Sequence, residues 1–313
     1  MNARFRSRPA CPACGAAPAV TLFSRRFDEP RLRAALERFY AEVGRLDSAA
    51  LAGAEFVVQR CPRCTLVFQR DVPDDTLLAR LYEEWIDPET TRRRHLAADP
   101  ARRLEIAHDV HLALQLVAPL PPTPLALDHG CGWGEWGVMA RAFGAESWGT
   151  ELSATRQAHC RALGLRIAAE DELPDATFHL VNSDQVLEHV PDPRATLALL
   201  ARKLHRDGIL RVSVPRGQGV ERALPRFDAE MGRPRLGALN AIAPLEHLNC
   251  FTHRSLISLA ASVGLRAIVP PWRALTAACA LPPGLKRKAR ALLRPFYLRS
   301  RRSTLVHFRH ASA

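Results

Sequence analysis

With 313 residues, 47% of them hydrophobic and 24% charged, the chain has the make-up of an ordinary globular protein. That length suits one α/β domain and a small module. No apolar stretch approaches the roughly 20 residues that span a bilayer, and no apolar core follows the basic N-terminus, which predicts a soluble, cytoplasmic protein. The net charge of +12 belongs to residues 247–313, where twelve Lys and Arg occur without an acid. The other 32 basic residues match 32 acids, so residues 1–246 are neutral and a nucleic-acid partner is not expected.

Taken in chain order, the first signal is a pair of motifs, Cys11-Pro-Ala-Cys14 and Cys61-Pro-Arg-Cys64, with 46 residues between them. Each can form a tight knuckle presenting two thiolates, and two knuckles complete a closed tetrahedral site. The pattern predicts structural Zn2+ on Cys11, Cys14, Cys61 and Cys64, with iron or a redox dithiol pair as the alternatives. Gly15 follows the first knuckle where positive φ is needed, and Thr65 stands at the matching place in the second. Cys131, Cys160, Cys250 and Cys279 stand alone. Between the knuckles, Leu32, Leu36, Phe39, Tyr40 and Val43 have helical spacing, and Phe56/Val58 and Leu66/Phe68 alternate as short strands. Asp74 is placed to cap a helix through Leu77, Leu78, Leu81 and Tyr82. These features give a zinc-binding module over 1–72 and a helical connector over 73–120. In the connector Arg92-Arg93-Arg94 reads as a solvated face and Ala101–Val117 as a helix, which a run of prolines from Pro119 to Pro124 ends.

From residue 121 strands and helices alternate, the pattern of an α/β sheet with helices on both faces. Strands are expected at 125–128, 146–150, 165–168, 178–183, 209–214 and 265–269. Helices are expected at 135–143, from Ser153 as N-cap to Ala162, at 192–204 and at 255–263. Leu125 to Gly137 reads LALDHGCGWGEWG, a buried strand that feeds a glycine turn opening a helix. Its glycines fit GxGxxG (Gly132, Gly134, Gly137) and also a tighter GxGxG (Gly130, Gly132, Gly134). Glu151 ends the second strand, where an acid can accept ribose hydroxyls. A dinucleotide would bring its pyrophosphate to the helix N-terminus, and there Asp128 and Glu135 would repel it. A ligand carrying an ammonium and a sulfonium suits that charge, and S-adenosylmethionine is such a ligand.

Asp128-His-Gly-Cys-Gly-Trp-Gly134, Gly149-Thr-Glu-Leu-Ser153, Val186-Leu-Glu-His-Val-Pro-Asp-Pro193 and the strand from Gly208 to Pro215 together resemble class I S-adenosylmethionine-dependent methyltransferases. Pro244-Leu-Glu-His-Leu-Asn-Cys-Phe-Thr252 resembles a later signature of one broad subgroup. The segment Cys61–Tyr82 resembles the N-terminal zinc-binding module of some bacterial methyltransferases that act on sugars. The resemblance implies a Rossmann-like seven-stranded sheet over 121–270, with 271–313 as a basic C-terminal helix and an antiparallel edge strand. It implies that Asp128, Gly130, Cys131, Gly132 and Gly134 form the cofactor loop and that Glu151 holds the ribose. Glu170 or Asp171 would contact adenine, and Asp184 and Gln185 would line the cofactor at the tip of the fourth strand. Phe178-His179 departs from the usual Phe-Asp, which is harmless if that position faces solvent.

Direct methyl displacement asks the protein to align a nucleophile and, for a hydroxyl or carbon acid, to take its proton. His247, His189 and Glu188 are the candidate bases, with Glu246 beside them; the competing reading has the Leu187-Glu188-His189 stretch only positioning a helix. Residues 216–243 are expected as a substrate lid or a plain loop. In the tail, Leu285, Ala289, Leu292 and Leu293 make an apolar stripe among Lys and Arg. It is expected to pack on the sheet, with contact to an anionic surface as the alternative. The expected acceptor is a small molecule, a sugar, nucleotide-sugar or polysaccharide intermediate, and an anionic one would suit the arginines. An RNA methyltransferase that uses the zinc module for recognition, and a cofactor-binding scaffold without turnover, remain as alternatives.

Overall fold

A computed structural model describes residues 4–96, 100–231, 234–277 and 285–312, so Cys279 lies outside the described residues. Its packing separates two units that do not follow sequence order. The first comprises residues 1–94, 187–194 and 215–259; the second comprises 95–186, 195–214 and 260–313. Residues 215–259, expected within the cofactor-binding domain, therefore pack with the N-terminal module, and residues 95–120 pack with the sheet unit.

In the first unit, β1 (Phe5–Ser7) pairs antiparallel with β5 (Asp71–Pro73). β2 (Val20–Arg26), β3 (Glu55–Arg60), β4 (Val67–Gln69) and β11 (Asn249–Cys250) form an antiparallel sheet in the order β11-β4-β3-β2. The helix Pro30–Ala41 begins on a proline whose missing N–H costs nothing there, and it buries Leu32, Leu36 and Tyr40. Asp74 accepts the Leu77 amide at 2.8 Å, the N-cap bond expected for the helix Asp75–Arg80. The segment after residue 216 is not a plain loop. Short helices and turns from Val220 to Met231 bury Val220, Leu224, Phe227 and Met231 in this unit's core, where Phe227 stacks on Phe23 at 4.6 Å.

The second unit carries a seven-stranded sheet made of β6 (Leu125–His129), β7 (Glu146–Thr150), β8 (Arg166–Ile167), β9 (Phe178–Asp184), β10 (Leu204–Ser213), β12 (Leu265–Ile268) and β13 (Leu305–His310). Their order is β12-β13-β10-β9-β6-β7-β8, with β13 antiparallel to both of its neighbours and the pairs among β6–β10 parallel. The last strand is antiparallel as expected, but it lies one position in from the edge, which β12 takes instead. Ala126 and Leu127, then Leu180 and Val181, are buried in succession, as a sheet covered on both faces requires. Ala126, Leu180 and Ile209 pack with the helices Pro100–Leu116 and Glu135–Ala142. His179 does not simply face solvent. Its Nδ1 accepts the Leu125 amide at 3.2 Å and its ring stacks on His205, so an imidazole satisfies the first amide of β6.

A buried polar chain ties the helix Pro100–Leu116 to the sheet. Arg211 on β10 donates to Asp109 at 2.7 Å, to Asn182 at 2.7 Å and to Asp184 at 3.1 Å, while Arg294 also pairs with Asp109. Burial would raise the Asp109 carboxyl, yet Arg211 and Arg294 hold it below its usual range. Removing Asp109 takes the 2.7 Å partner from the buried Arg211 Nη2 and the partner from Arg294, leaving Asp184 as the carboxylate on Arg211. Asp109→Ala is therefore expected to cost about 3–5 kcal/mol, read as a lower denaturant midpoint with an unchanged slope.

Candidate active site

The cofactor candidates gather at the carboxyl ends of β6, β7 and β9, within the sheet unit. Gly130, Gly132 and Gly134 all have positive φ (67°, 54° and 79°), whereas Gly137 sits inside the helix Glu135–Ala142. The tighter GxGxG is thus the loop. Gly137 serves packing instead, since a Cβ there would meet Leu165 and Ser147 at 3.0 Å. A Cβ on Gly130 would lie 2.7 Å from Val186, but one on Gly132 would meet nothing within 4 Å, so the loop opens onto free space at Gly132.

Glu151 fastens this loop. Its Oε2 accepts the Gly132 amide at 2.9 Å, and its Oε1 accepts the amides of Leu152 and Ser153, each at 2.9 Å. Ser153 stands at the N-cap of the helix Ala154–Ala162, where its hydroxyl makes no cap bond. Three amides use three of the roughly four acceptor sites on a carboxylate, leaving one on Oε2.

Asp128 is buried at the end of β6, where Asn182 donates to its Oδ1 at 2.6 Å. Burial pushes its carboxyl up to about 7; the Asn182 hydrogen bond opposes this and repulsion from Asp184 adds to it. Asp128 and Glu151 share this end of the sheet with Asp184, which Arg211 partly neutralises, so the acids beside the loop favour a cationic ligand over a phosphate. The open loop and this charge fit S-adenosylmethionine. Cys131 turns its side chain inward, with Sγ 3.8 Å from that of Cys160, so its thiol belongs to the core. Glu170 pairs with His129 at 3.0 Å while Asp171 is exposed. Asp184 meets Arg211 and, at 3.5 Å, Arg102. Gln185 has positive φ (57°), an uncommon conformation for a residue with a side chain, and its amide nitrogen donates to Ser213 Oγ at 3.0 Å.

The candidate bases come together inside the first unit. Glu188, His189 and His247 place one ligand-capable atom each within 4.8 Å of the others. The His189 and His247 rings meet edge to face at 4.7 Å, and the Tyr82 hydroxyl lies 2.9 Å from His189 Nδ1. His247 Nδ1 bonds the Asn240 carbonyl, which can only accept, so Nδ1 carries the proton and Nε2 keeps its lone pair. Burial lowers the His247 pKa, which keeps the ring neutral. Burial pushes Glu246 up to about 6, opposed by the Tyr40 hydroxyl. Asn249 locks the local backbone by donating to the carbonyls of Leu187 and Val190 at 3.0 and 2.7 Å. Asn182 and Asn240 lie outside every motif read from the sequence, while Tyr82, Asn249 and Arg211 lie within such motifs but with no role assigned to them there.

The four cysteines of the two knuckles also converge. Cys11 Sγ lies 3.5 Å from Cys64 Sγ, and Cys14 Sγ lies 3.5 Å from Cys61 Sγ. These separations exclude S–S bonds of about 2 Å and approach the tetrahedral edge, about 3.8 Å, that follows from Zn–S bonds near 2.3 Å. The knuckles share one geometry. Gly15 donates to Cys11 O at 2.9 Å with φ 69°, and Thr65 donates to Cys61 O at 3.1 Å with φ 64°. Thr65 accepts the left-handed conformation that glycine adopts in the first knuckle.

A family model described as a methyltransferase domain matches residues 98–269. The ubiquinone biosynthesis O-methyltransferase of Methylococcus capsulatus is 31% identical over 129 residues, which is 38% of this chain and 51% of that protein. The chain thus spans about half the length of this curated relative. Among solved structures, a TehB-like S-adenosylmethionine-dependent methyltransferase from Corynebacterium glutamicum is 16% identical, with TM-score 0.41, covering 71% of this chain and 97% of its own. The plantazolicin methyltransferase BamL, solved in complex with SAH, is 14% identical, with TM-score 0.48, covering 74% and 92%. With more than half of its length matched by that one model, the chain belongs to the methyltransferase-domain family.

Proposed function

We propose that the protein transfers a methyl group from S-adenosylmethionine to a polar small molecule, a sugar, nucleotide-sugar or polysaccharide intermediate, with His247 as the base. The observation that carries the reading is the His247 ring, whose tautomer and neutrality leave Nε2 ready to accept a proton. Bound S-adenosylmethionine supplies a methyl carbon activated by a sulfonium leaving group. Gly132 and Gly134 give it room, Glu151 offers its remaining acceptor site to a ribose hydroxyl, and Asp128 faces its positive charge. On the acceptor side, His247 takes the proton from the attacking hydroxyl or carbon acid, and Tyr82 orients His189 against it. Two imidazoles, a carboxyl and the Tyr82 hydroxyl suit an acceptor with several hydroxyl or carbonyl groups. A structural zinc on Cys11, Cys14, Cys61 and Cys64 holds the N-terminal unit in shape and, having no open position, takes no part in transfer.

The test is incubation with methyl-labelled S-adenosylmethionine and separate pools of nucleotide-sugars, polysaccharide intermediates and RNA. Label in a sugar-containing product supports the reading, and label in RNA overturns the acceptor class. The Asp128 carboxyl makes a further prediction. A cation beside it favours the ionised form, so S-adenosylmethionine affinity is expected to rise with pH up to about 7 and then level off. The slope approaches tenfold per pH unit well below that value. Calorimetric titration of the wild type and Asp128→Asn checks this; equal pH dependence in the two proteins would contradict it.

A further inference from the structure

The C-terminal helix Leu285–Arg299 is docked on the sheet unit through the buried Pro295 and through Leu298, which joins the core that holds Ala274 and Leu275. The apolar stripe expected to make that contact faces outward instead. Leu285 is 85% exposed, Leu292 57%, Leu293 64% and Phe296 63%, and the neighbouring Trp272, edge to face with Phe296, is 45% exposed. At about 100° per residue these four helix positions share one arc. Lys286 and Arg290 flank it on one side and Lys288 on the other, all three exposed. No acid occurs anywhere between residues 247 and 313 to neutralise this face.

We propose that this helix seats the protein on the surface of an anionic phospholipid bilayer, lying in the interfacial plane with the leucines and Phe296 among the acyl chains. An exposed apolar arc bordered by cations is the arrangement an interfacial helix needs. The charge selects among occupants: a second copy would bring the same cations against themselves, and a nucleic acid has no use for four large apolar side chains. Among the described residues no helix is long and apolar enough to cross a membrane, so the contact is peripheral.

The test is co-flotation of the full chain with vesicles of mixed phosphatidylglycerol and phosphatidylcholine, and with vesicles of phosphatidylcholine alone. The wild type is expected on the anionic vesicles, to be largely absent from the neutral ones, and to be weakened by salt. Leu292→Ser/Leu293→Ser removes exposed groups, so its melting temperature should match the wild type while vesicle affinity falls by at least about tenfold. Lys286→Gln/Lys288→Gln should weaken binding chiefly at low salt. Failure to float with anionic vesicles, or undiminished binding by the leucine variant, overturns the proposal. So would a concentration-dependent dimer, without lipid, that the leucine substitutions abolish.

Discussion

Replacing Cys61 by Ser, or stripping the metal with a chelator, is expected to unfold the N-terminal unit. Cys61 is fully buried between β3 and β4, and its amide bonds the Leu66 carbonyl at 2.9 Å, so the cysteine cluster proposed to hold zinc and the hairpin are one structure. A structural zinc contributes on the order of 10–16 kcal/mol in small domains, as much as the whole stability of a typical fold. Elemental analysis should find one zinc per chain, and limited proteolysis of the stripped protein should cut within residues 1–94. A metal-free preparation that resists protease and melts at the same temperature would show that the cysteines act without metal.

The second large effect concerns His247. His247→Ala is expected to lower kcat by about 10²- to 10⁴-fold, the usual worth of a positioned base, with S-adenosylhomocysteine affinity unchanged. Because burial lowers the His247 pKa, the ring stays neutral to more acid pH than a free imidazole, which titrates near 6.5. Protonation removes the base, so at saturating S-adenosylmethionine the acceptor's kcat/KM should fall only below about pH 6.5 and stay flat above it. Tyr82→Phe keeps the ring and removes the hydroxyl from His189, so a smaller loss is expected. Near-normal turnover by His247→Ala would reduce the cluster to a structural role.

Much of the sheet unit was legible because its signals are local. Strand and helix alternate at close spacing, the glycines of the loop fall in one run, and β6, β7 and β9 begin and end within two residues of their expected bounds. The apolar residues at 220, 224, 227 and 231 also have helical spacing. Pro225 and the surrounding arginines and glycines obscured it, and only the structure shows which core they join. The contact between Tyr82 and His189 spans 107 positions, which no local pattern encodes. The tail misled for a different reason. An apolar stripe in sequence says that a helix has two faces, and the docking of Pro295 and Leu298 decides which face remains outside.

The same limit applies to Glu151, readable as a ribose ligand from its place after β7 but not as the clasp of the glycine loop. That double role makes it the most direct probe of the central claim, that this loop binds S-adenosylmethionine. The measurement is calorimetric titration of S-adenosylhomocysteine, and separately of NADH, into the wild type and Glu151→Gln. The account predicts one saturable S-adenosylhomocysteine site, weakened at least about tenfold in Glu151→Gln by loss of charge-assisted hydrogen bonds, and no NADH binding. Saturable NADH binding, or S-adenosylhomocysteine binding indifferent to Glu151→Gln, would contradict it.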